Sequence, residues 1–329
     1  MHKPDPRNVS GRRVELQVEV DVGHHGERLD RVAAALFPEF SRARLQAWIK
    51  EGELTLRGLA ARPRDPVGAG DVLELRTTLS TQTAWAAEER PLSIVYEDEH
   101  IIVVNKSANC VVHPGAGNTQ GTLVNALLAH RPELRTLPRG GIVHRLDKDT
   151  TGLLVVAAST LAQRSLVEQL QSRSVHREYL ALVRGVPTGP DRIDVPIGRH
   201  PRQRTKMAAL SAGGGARPAI TNYRIKQSFG PYTLLSVMLE TGRTHQIRVH
   251  MAHKGMPLVG DPLYGGRLQI PRGVSGTAID ALREFKRQAL HAIRLSFQHP
   301  DDRQVVSFEI PLAPDFADLL TALSDSSEE

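Results

Sequence analysis

The chain has 329 residues, more than one domain usually holds, and its 40% hydrophobic and 24% charged residues exclude disorder for most of that length. One cysteine, Cys110, excludes an internal disulfide and a cysteine-based zinc cluster, and 4% aromatic residues exclude a broad platform of stacked rings for single-stranded nucleic acid. The net charge of +6 is unevenly spread, with 18 basic and six acidic side chains over residues 181–299 and Arg303 alone against eight acids over 300–329; the basic stretch points to a polyanion partner bound through its phosphates.

Residues 1–23 read as a polar N-terminal extension in which Val14, Leu16, Val18 and Val20 alternate as in a strand. Leu29, Val32, Ala33 and Leu36 lie at helical spacing, Ser41 stands at an N-cap position, and Leu45, Trp48 and Ile49 mark the apolar face of a second helix. Residues 54–56 and 72–75 suggest strands on either side of a turn punctuated by Pro63, Pro66, Gly68 and Gly70. Residues 24–80 therefore form a small helix, helix, strand, turn, strand unit, and 81–90, which lack periodicity, a linker. Over 91–313 the pattern predicts a hairpin of buried strands at 94–96 and 101–104, an extended piece at 111–112, helices at 122–129 and 161–170, and strands at 179–183, 221–225, 234–239 and 305–310. Strands and helices without regular βαβ alternation predict an α+β domain with a mixed, mainly antiparallel sheet. Residues 314–329 read as an acidic C-terminal tail. The longest apolar runs, 32–37 and 153–158, are too short to cross a bilayer, so a soluble cytoplasmic protein is expected.

Two segments are dense in polar residues. In the first, Gly141-Ile142-Val143-His144-Arg145-Leu146-Asp147-Lys148-Asp149-Thr150-Thr151, a charged cluster stands at the entrance to an apolar run that has no solvent face. One of Asp147 and Asp149 then faces apolar packing, where a carboxylate needs a cation. In the second, Thr241-Gly242-Arg243-Thr244-His245-Gln246-Ile247-Arg248-Val249-His250, a helix beginning near Thr244 would put His245 and Arg248 on one face, toward one substrate or one carboxylate. Three alternatives stand beside a catalytic site: a cation held by Asp147 and Asp149, which offers too few oxygen ligands; a zinc site of His144, His245 and His250, which lacks a known ligand spacing; and a purely structural ion-pair network.

Together these segments resemble the RluA-type family of pseudouridine synthases, whose nucleophile motif is similar to His144-Arg145-Leu146-Asp147-Lys148-Asp149-Thr150-Thr151-Gly152-Leu153. Further ordered matches are Val112-His113-Pro114-Gly115, Arg177-Glu178-Tyr179-Leu180, Gly198-Arg199-His200-Pro201, the Thr241 block, and Gly260-Asp261-Pro262-Leu263-Tyr264-Gly265, while Lys106-Ser107 replaces the usual Lys-Pro. Residues 24–78 resemble an S4 RNA-binding domain through Arg28-Leu29-Asp30, Ser41-Arg42, Ile49, Gly52 and Gly70-Asp71. The resemblance implies an isomerase that converts uridine to pseudouridine, with no cofactor and no metal. Its implied partner is large-subunit ribosomal RNA, with the helix 69 stem-loop as target, bound by a monomer. The same chemistry on another ribosomal or transfer RNA site is an alternative, as is a non-catalytic RNA-binding assembly factor. By resemblance Asp147 is the nucleophile or base, Arg248 its buried ion-pair partner, and Tyr179 the ring that stacks on the flipped base. Arg145 enters the RNA stack where the base has left, Ile247 packs at the pocket floor, and His144, Arg243 and His245 contact substrate. Arg199 and His200, with Arg202, Arg204 and Lys206, form a basic loop toward the RNA backbone, and Arg28, Arg42, Arg44 and Lys50 do the same in the S4-like unit.

Overall fold

The computed structural model describes residues 12–325 apart from 39, 41, 80–84, 116, 117, 119, 204, 212, 214, 269 and 271–273. The N-cap expected at Ser41, the first part of the extension and Arg204 therefore lie outside the described residues. The chain divides into two compact units, Met1–Ala84 and Trp85–Glu329.

In the first unit β1 (Arg12–Glu19), α1 (Leu29–Leu36), α2 (Arg42–Glu51), β2 (Leu54–Leu56) and β3 (Val72–Leu79) follow in order. The strands form an antiparallel sheet in the order β1-β3-β2. The alternating Val14, Leu16 and Val18 are part of this sheet and pack on its core. Composition had set them in an extension ahead of the unit, because a strand that pairs with a partner 60 residues away carries no local mark of its pairing. Leu29, Val32, Leu45, Trp48, Ile49, Leu73 and Leu75 are buried between helices and sheet.

The second unit contains β4 (Ile94–Glu97), β5 (Ile101–Lys106), α3 (Leu123–His130), β6 (Thr151–Ala157), α4 (Thr160–Gln171) and β7 (His176–Arg184). Then come β8 (Asp191–Asp194), β9 (Ile197–Arg199), β10 (Met207–Ala209), β11 (Ile220–Phe229), β12 (Tyr232–Leu239) and α5 (Gln246–His253). The chain closes with α6 (Gly276–Glu284), β13 (Leu290–Gln298), β14 (Val305–Glu309) and α7 (Pro314–Asp325). Eight strands pair in the order β4-β5-β6-β13-β7-β12-β11-β8, with β14 on β13, and β13 with β6 is the parallel pair. β9 and β10 form a separate two-stranded hairpin. The expected extended piece at 111–112 is not a strand; it docks against the start of α3, where Leu123 and Val124 donate to its carbonyls.

Both faces of the central strands are covered, which is why they read as continuous apolar runs. Alternate residues serve opposite cores: Ile102, Val104, Leu154, Val156, Tyr179 and Ala181 pack with α3 and α5, whereas Ile101, Val103, Leu153 and Val155 pack under α4. Leu180 and Leu182 meet α6 and α7. The stretch read as an acidic tail is helical to Asp325 and buries Phe316, Leu319 and Leu323. Its apolar residues recur at i, i+3 and i+7, and the acids occupy the outer face.

The parallel crossing requires Gly152. Its φ is +112°, and a Cβ there would overlap the backbone of Ala292, its partner on β13. Gly152→Ala is expected to destabilise the protein by about 3 kcal/mol or more through overlap and strain together, read as a lower urea midpoint with an unchanged slope.

Candidate active site

Asp147 lies in the loop that enters β6, and that loop is held residue by residue. Lys106, buried at the end of β5, donates from Nζ to the carbonyls of Lys148 (2.9 Å), Ser107 (2.8 Å) and Cys110 (2.9 Å). Arg287 donates to the Asp149 carbonyl at 3.2 Å and is itself fixed by two bonds of 2.6 and 2.7 Å to Asp315 in α7. Gln288 donates to Thr150 Oγ1 at 3.0 Å, and Thr151 Oγ1 lies 2.8 Å from His291 Nδ1. The Asp149 carboxylate accepts the Asn109 N–H at 3.2 Å. Of the two aspartates, it is Asp147 that meets the cation.

Arg248, on α5, donates from Nη1 to Asp147 Oδ2 at 3.0 Å. Its other edge makes a fork to Asp261, with Nε to Oδ2 at 2.7 Å and Nη2 to Oδ1 at 2.8 Å. Asp261 also accepts the N–H groups of Leu263 and Tyr264. Burial would raise its carboxyl, but the hydrogen bonds and charge of Arg248 outweigh this and hold it below the usual carboxylate range. Burial likewise works against the Arg248 cation, and Asp261 and Asp147 reverse the effect. Gly260 permits this arrangement, since a Cβ at its φ of +71° would overlap the Arg287 carbonyl.

The helix begins at Gln246, two residues later than the spacing suggested, because His245 is left-handed at φ +57°. That conformation turns His245 Nδ1 to the Tyr264 hydroxyl at 2.8 Å and Nε2 to Asp147 Oδ1 at 3.9 Å. The Tyr264 oxygen also accepts the Met207 N–H at 2.9 Å, so one hydroxyl ties the His245 ring to the β9–β10 hairpin. Burial lowers the His245 pKa, against the opposing pull of Asp147.

Asp147, His245 and Arg248 open onto a cavity of about 660 Å³. Asp147, Arg145, His144, Tyr179, Arg243, His245, Ile247 and Arg248 all border it, so the expected catalytic and base-contacting residues converge. Arg145 is exposed, Tyr179 and Ile247 are buried, and burial pushes the Tyr179 hydroxyl up. Arg243 is tied by Nε to the Pro218 carbonyl at 3.0 Å. Arg199 and His200 are outside this lining, on the β9–β10 hairpin, where His200 Nδ1 accepts the N–H groups of Arg202 and Gln203. The hairpin meets the site through Met207 and Tyr264. His250 spends both ring nitrogens, on Thr221 Oγ1 (2.8 Å) and the Val195 carbonyl (2.9 Å), which removes it from a zinc site with His144 and His245. Sequence reasoning quoted Asp261, Tyr264 and Arg177 within motifs but gave them no role. A carboxylate between a turn glycine and a proline, in an apolar loop, was the available sign for Asp261.

His144 is a framework residue as well as a lining one, since its Nε2 accepts the Val155 N–H at 3.1 Å. Burial pushes its pKa down to about 3 and that of His291 to about 4. The unfolded chain takes up these protons near 6.5, so stability is complete above that pH and falls as pH drops from 6.5 toward 4. We expect His291→Gln, which cannot titrate, to flatten part of that fall in denaturant midpoints measured at pH 7 and pH 5.

In the first unit, Arg28 and Arg42 are both committed to buried Asp30, at 3.0 and 2.9 Å, with the Gln46 amide as a further donor. Burial would raise the Asp30 carboxyl, but these hydrogen bonds hold it at about 2. Arg44 lies over the Trp48 ring at 5.0 Å and Lys50 is exposed. Arg28 and Arg42 keep nearly half of their surface exposed.

A carboxylate pinned by one edge of a buried arginine, with a tyrosine and several arginines on the wall of the same cavity, is an arrangement that can support acid–base or nucleophilic chemistry. The family model described as RNA pseudouridylate synthase matches residues 100–253, and with the relatives below it shows that the chain belongs to the pseudouridine synthase family. It is 53% identical over 315 residues to ribosomal large subunit pseudouridine synthase D of Pseudomonas aeruginosa, covering 96% of this chain and 98% of that one. With the protein of the same name from Xanthomonas campestris it shares 52% identity over 302 residues, covering 92% and 90%. Among solved structures, human RNA pseudouridylate synthase domain containing 1 is 27% identical with a TM-score of 0.52, over 71% of this chain and 95% of that one. Human RNA pseudouridylate synthase domain containing 4, at 24% identity, shares the fold with a TM-score of 0.56, over 70% and 93%.

Proposed function

We propose that this protein isomerises specific uridines to pseudouridine in large-subunit ribosomal RNA, with the helix 69 stem-loop as target, and that Asp147 is the group that acts on the uridine. The supporting observation is the Asp147–Arg248–Asp261 array, which fixes one carboxylate at the wall of a cavity beside Tyr179 and Ile247. The reaction breaks the C1′–N1 bond, rotates the base and forms C1′–C5. The C5 proton leaves and N1 gains one, so nothing is oxidised and no group is transferred out. Asp147 serves as nucleophile or base, and Arg248 holds the carboxylate in place. Tyr179 stacks on the extruded base and takes part in proton movement at C5. Exposed Arg145 fills the gap in the RNA stack, where a planar cation offsets lost stacking and meets phosphate. The first unit is read as an S4 module that raises local affinity for RNA, with Arg28 and Arg42 presenting their exposed edges while Asp30 orients them.

The test is a pseudouridine map of large-subunit ribosomal RNA from cells with and without this protein. Loss of pseudouridine in the helix 69 loop is expected. Loss at another site would keep the chemistry and move the target, and an unchanged map in every RNA would overturn the catalytic reading.

A further inference from the structure

Among the described residues of the second unit, every buried arginine but one has an acid. Arg248 has Asp147 and Asp261, and Arg287 has Asp315. The side chain of Arg177, a residue 9% exposed on β7, has no hydrogen bond or ion pair among the described residues, and its buried Nε lacks an acceptor. The acid across the same cavity wall, Glu240, is already used by Arg192 at 3.4 Å, Asn222 at 3.0 Å and Arg173 at 3.8 Å. A desolvated guanidinium without an anion is costly, and it persists where a ligand supplies the charge.

The surroundings suit an anion. Arg177 borders the cavity, and Arg173 and Arg243 line it with Gly242. The guanidinium lies across Gly242, where a side chain would begin 2.8 Å from Nη1; a glycine keeps the approach open. Arg177 and Tyr179 are alternate residues of one strand and so share its face, about 7 Å apart along the chain.

We infer that Arg177 is the anchor for a phosphate flanking the extruded uridine, so that the cavity binds a uridine nucleotide and not the base alone. The inference rests on the reading of the cavity as a uridine site. Arg177 clamps the backbone of the nucleotide whose base stacks on Tyr179, and the bound phosphate neutralises a cation that the fold leaves unpaired. It is a binding residue and supplies no proton to the reaction.

Equilibrium titration of the full-length protein with uridine, uridine 5′-monophosphate and uridine 3′-monophosphate tests this. One of the two nucleotides is expected to bind about tenfold or more tighter than uridine, since a charge-assisted bond to a buried cation is strong. Arg177→Gln should remove that preference while leaving uridine itself within about twofold. A structural arginine would lower the denaturation midpoint on replacement; Arg177→Gln is expected to leave it unchanged or raise it, and Arg177→Lys to keep part of the preference. Equal binding of uridine and both nucleotides, or a preference that survives in Arg177→Gln, would overturn the assignment. The titration needs no turnover, so a nucleotide preference in a protein whose ribosomal RNA map is unchanged would separate this inference from the proposed target.

Discussion

Asp147→Ala is expected to abolish pseudouridine formation, by about 10⁴-fold or more in turnover, while RNA affinity stays within about tenfold. The two effects separate because of where the charges sit. Removing Asp147 takes one bond from Arg248 but leaves its fork to Asp261 intact, so no buried cation is orphaned and the fold survives. The measurement is single-turnover conversion of a ribosomal RNA fragment alongside equilibrium binding of the same fragment. Substantial residual turnover would show that another group carries the chemistry.

Asp261→Ala should be the more damaging change to the protein as a whole. Arg248 would keep Asp147, which is partly solvated, and lose two bonds to a carboxylate with no exposed surface. The N–H groups of Leu263 and Tyr264 would lose their acceptor as well. A loss of about 3 to 5 kcal/mol is expected for breaking a buried pair from one side. Turnover should fall with it, since nothing then fixes the edge of Arg248 that meets Asp147. The double variant Arg248→Met with Asp261→Leu is expected to be more stable than Asp261→Ala in urea titrations, since no buried cation is left unpaired, but to recover no activity. Recovered activity would mean that the array is scaffolding only.

Much of the site could be read in the chain because the strand after Asp147 declares itself. Seven apolar or small residues from Thr151 to Ala157 are buried without exception, and a charged cluster before such a strand must be paired. The partner could be named only by resemblance, since Arg248 lies 101 residues on and no local pattern links them. Asp261 and Tyr264 went without a role for the same reason: their contacts run from a loop to a helix and a hairpin. The helix at 246–253 was expected two residues early because left-handed His245 leaves no sequence mark when the residue is not glycine. The acidic C-terminal residues concealed a helix, since composition averages an apolar stripe with its wet face. In the small unit the four basic residues were legible as cations, but not that Asp30 binds two of them.

The position of β13 bears on how the protein comes into being. In the sheet it is the strand between β6 and β7, so before it docks there are two separate pieces, β4-β5-β6 leading from Asp147 and β7-β12-β11-β8 carrying Tyr179 and leading to Arg248. During translation at about 5–20 residues per second, roughly 7 to 30 s pass between synthesis of Asp147 and of the strand that unites these halves. Through that interval β6 presents an unpaired apolar edge, a target for chaperones and for aggregation. Asp147 and Arg248 belong to opposite sides of this junction, so the docking of β13 joins the halves that carry the two partners of the site.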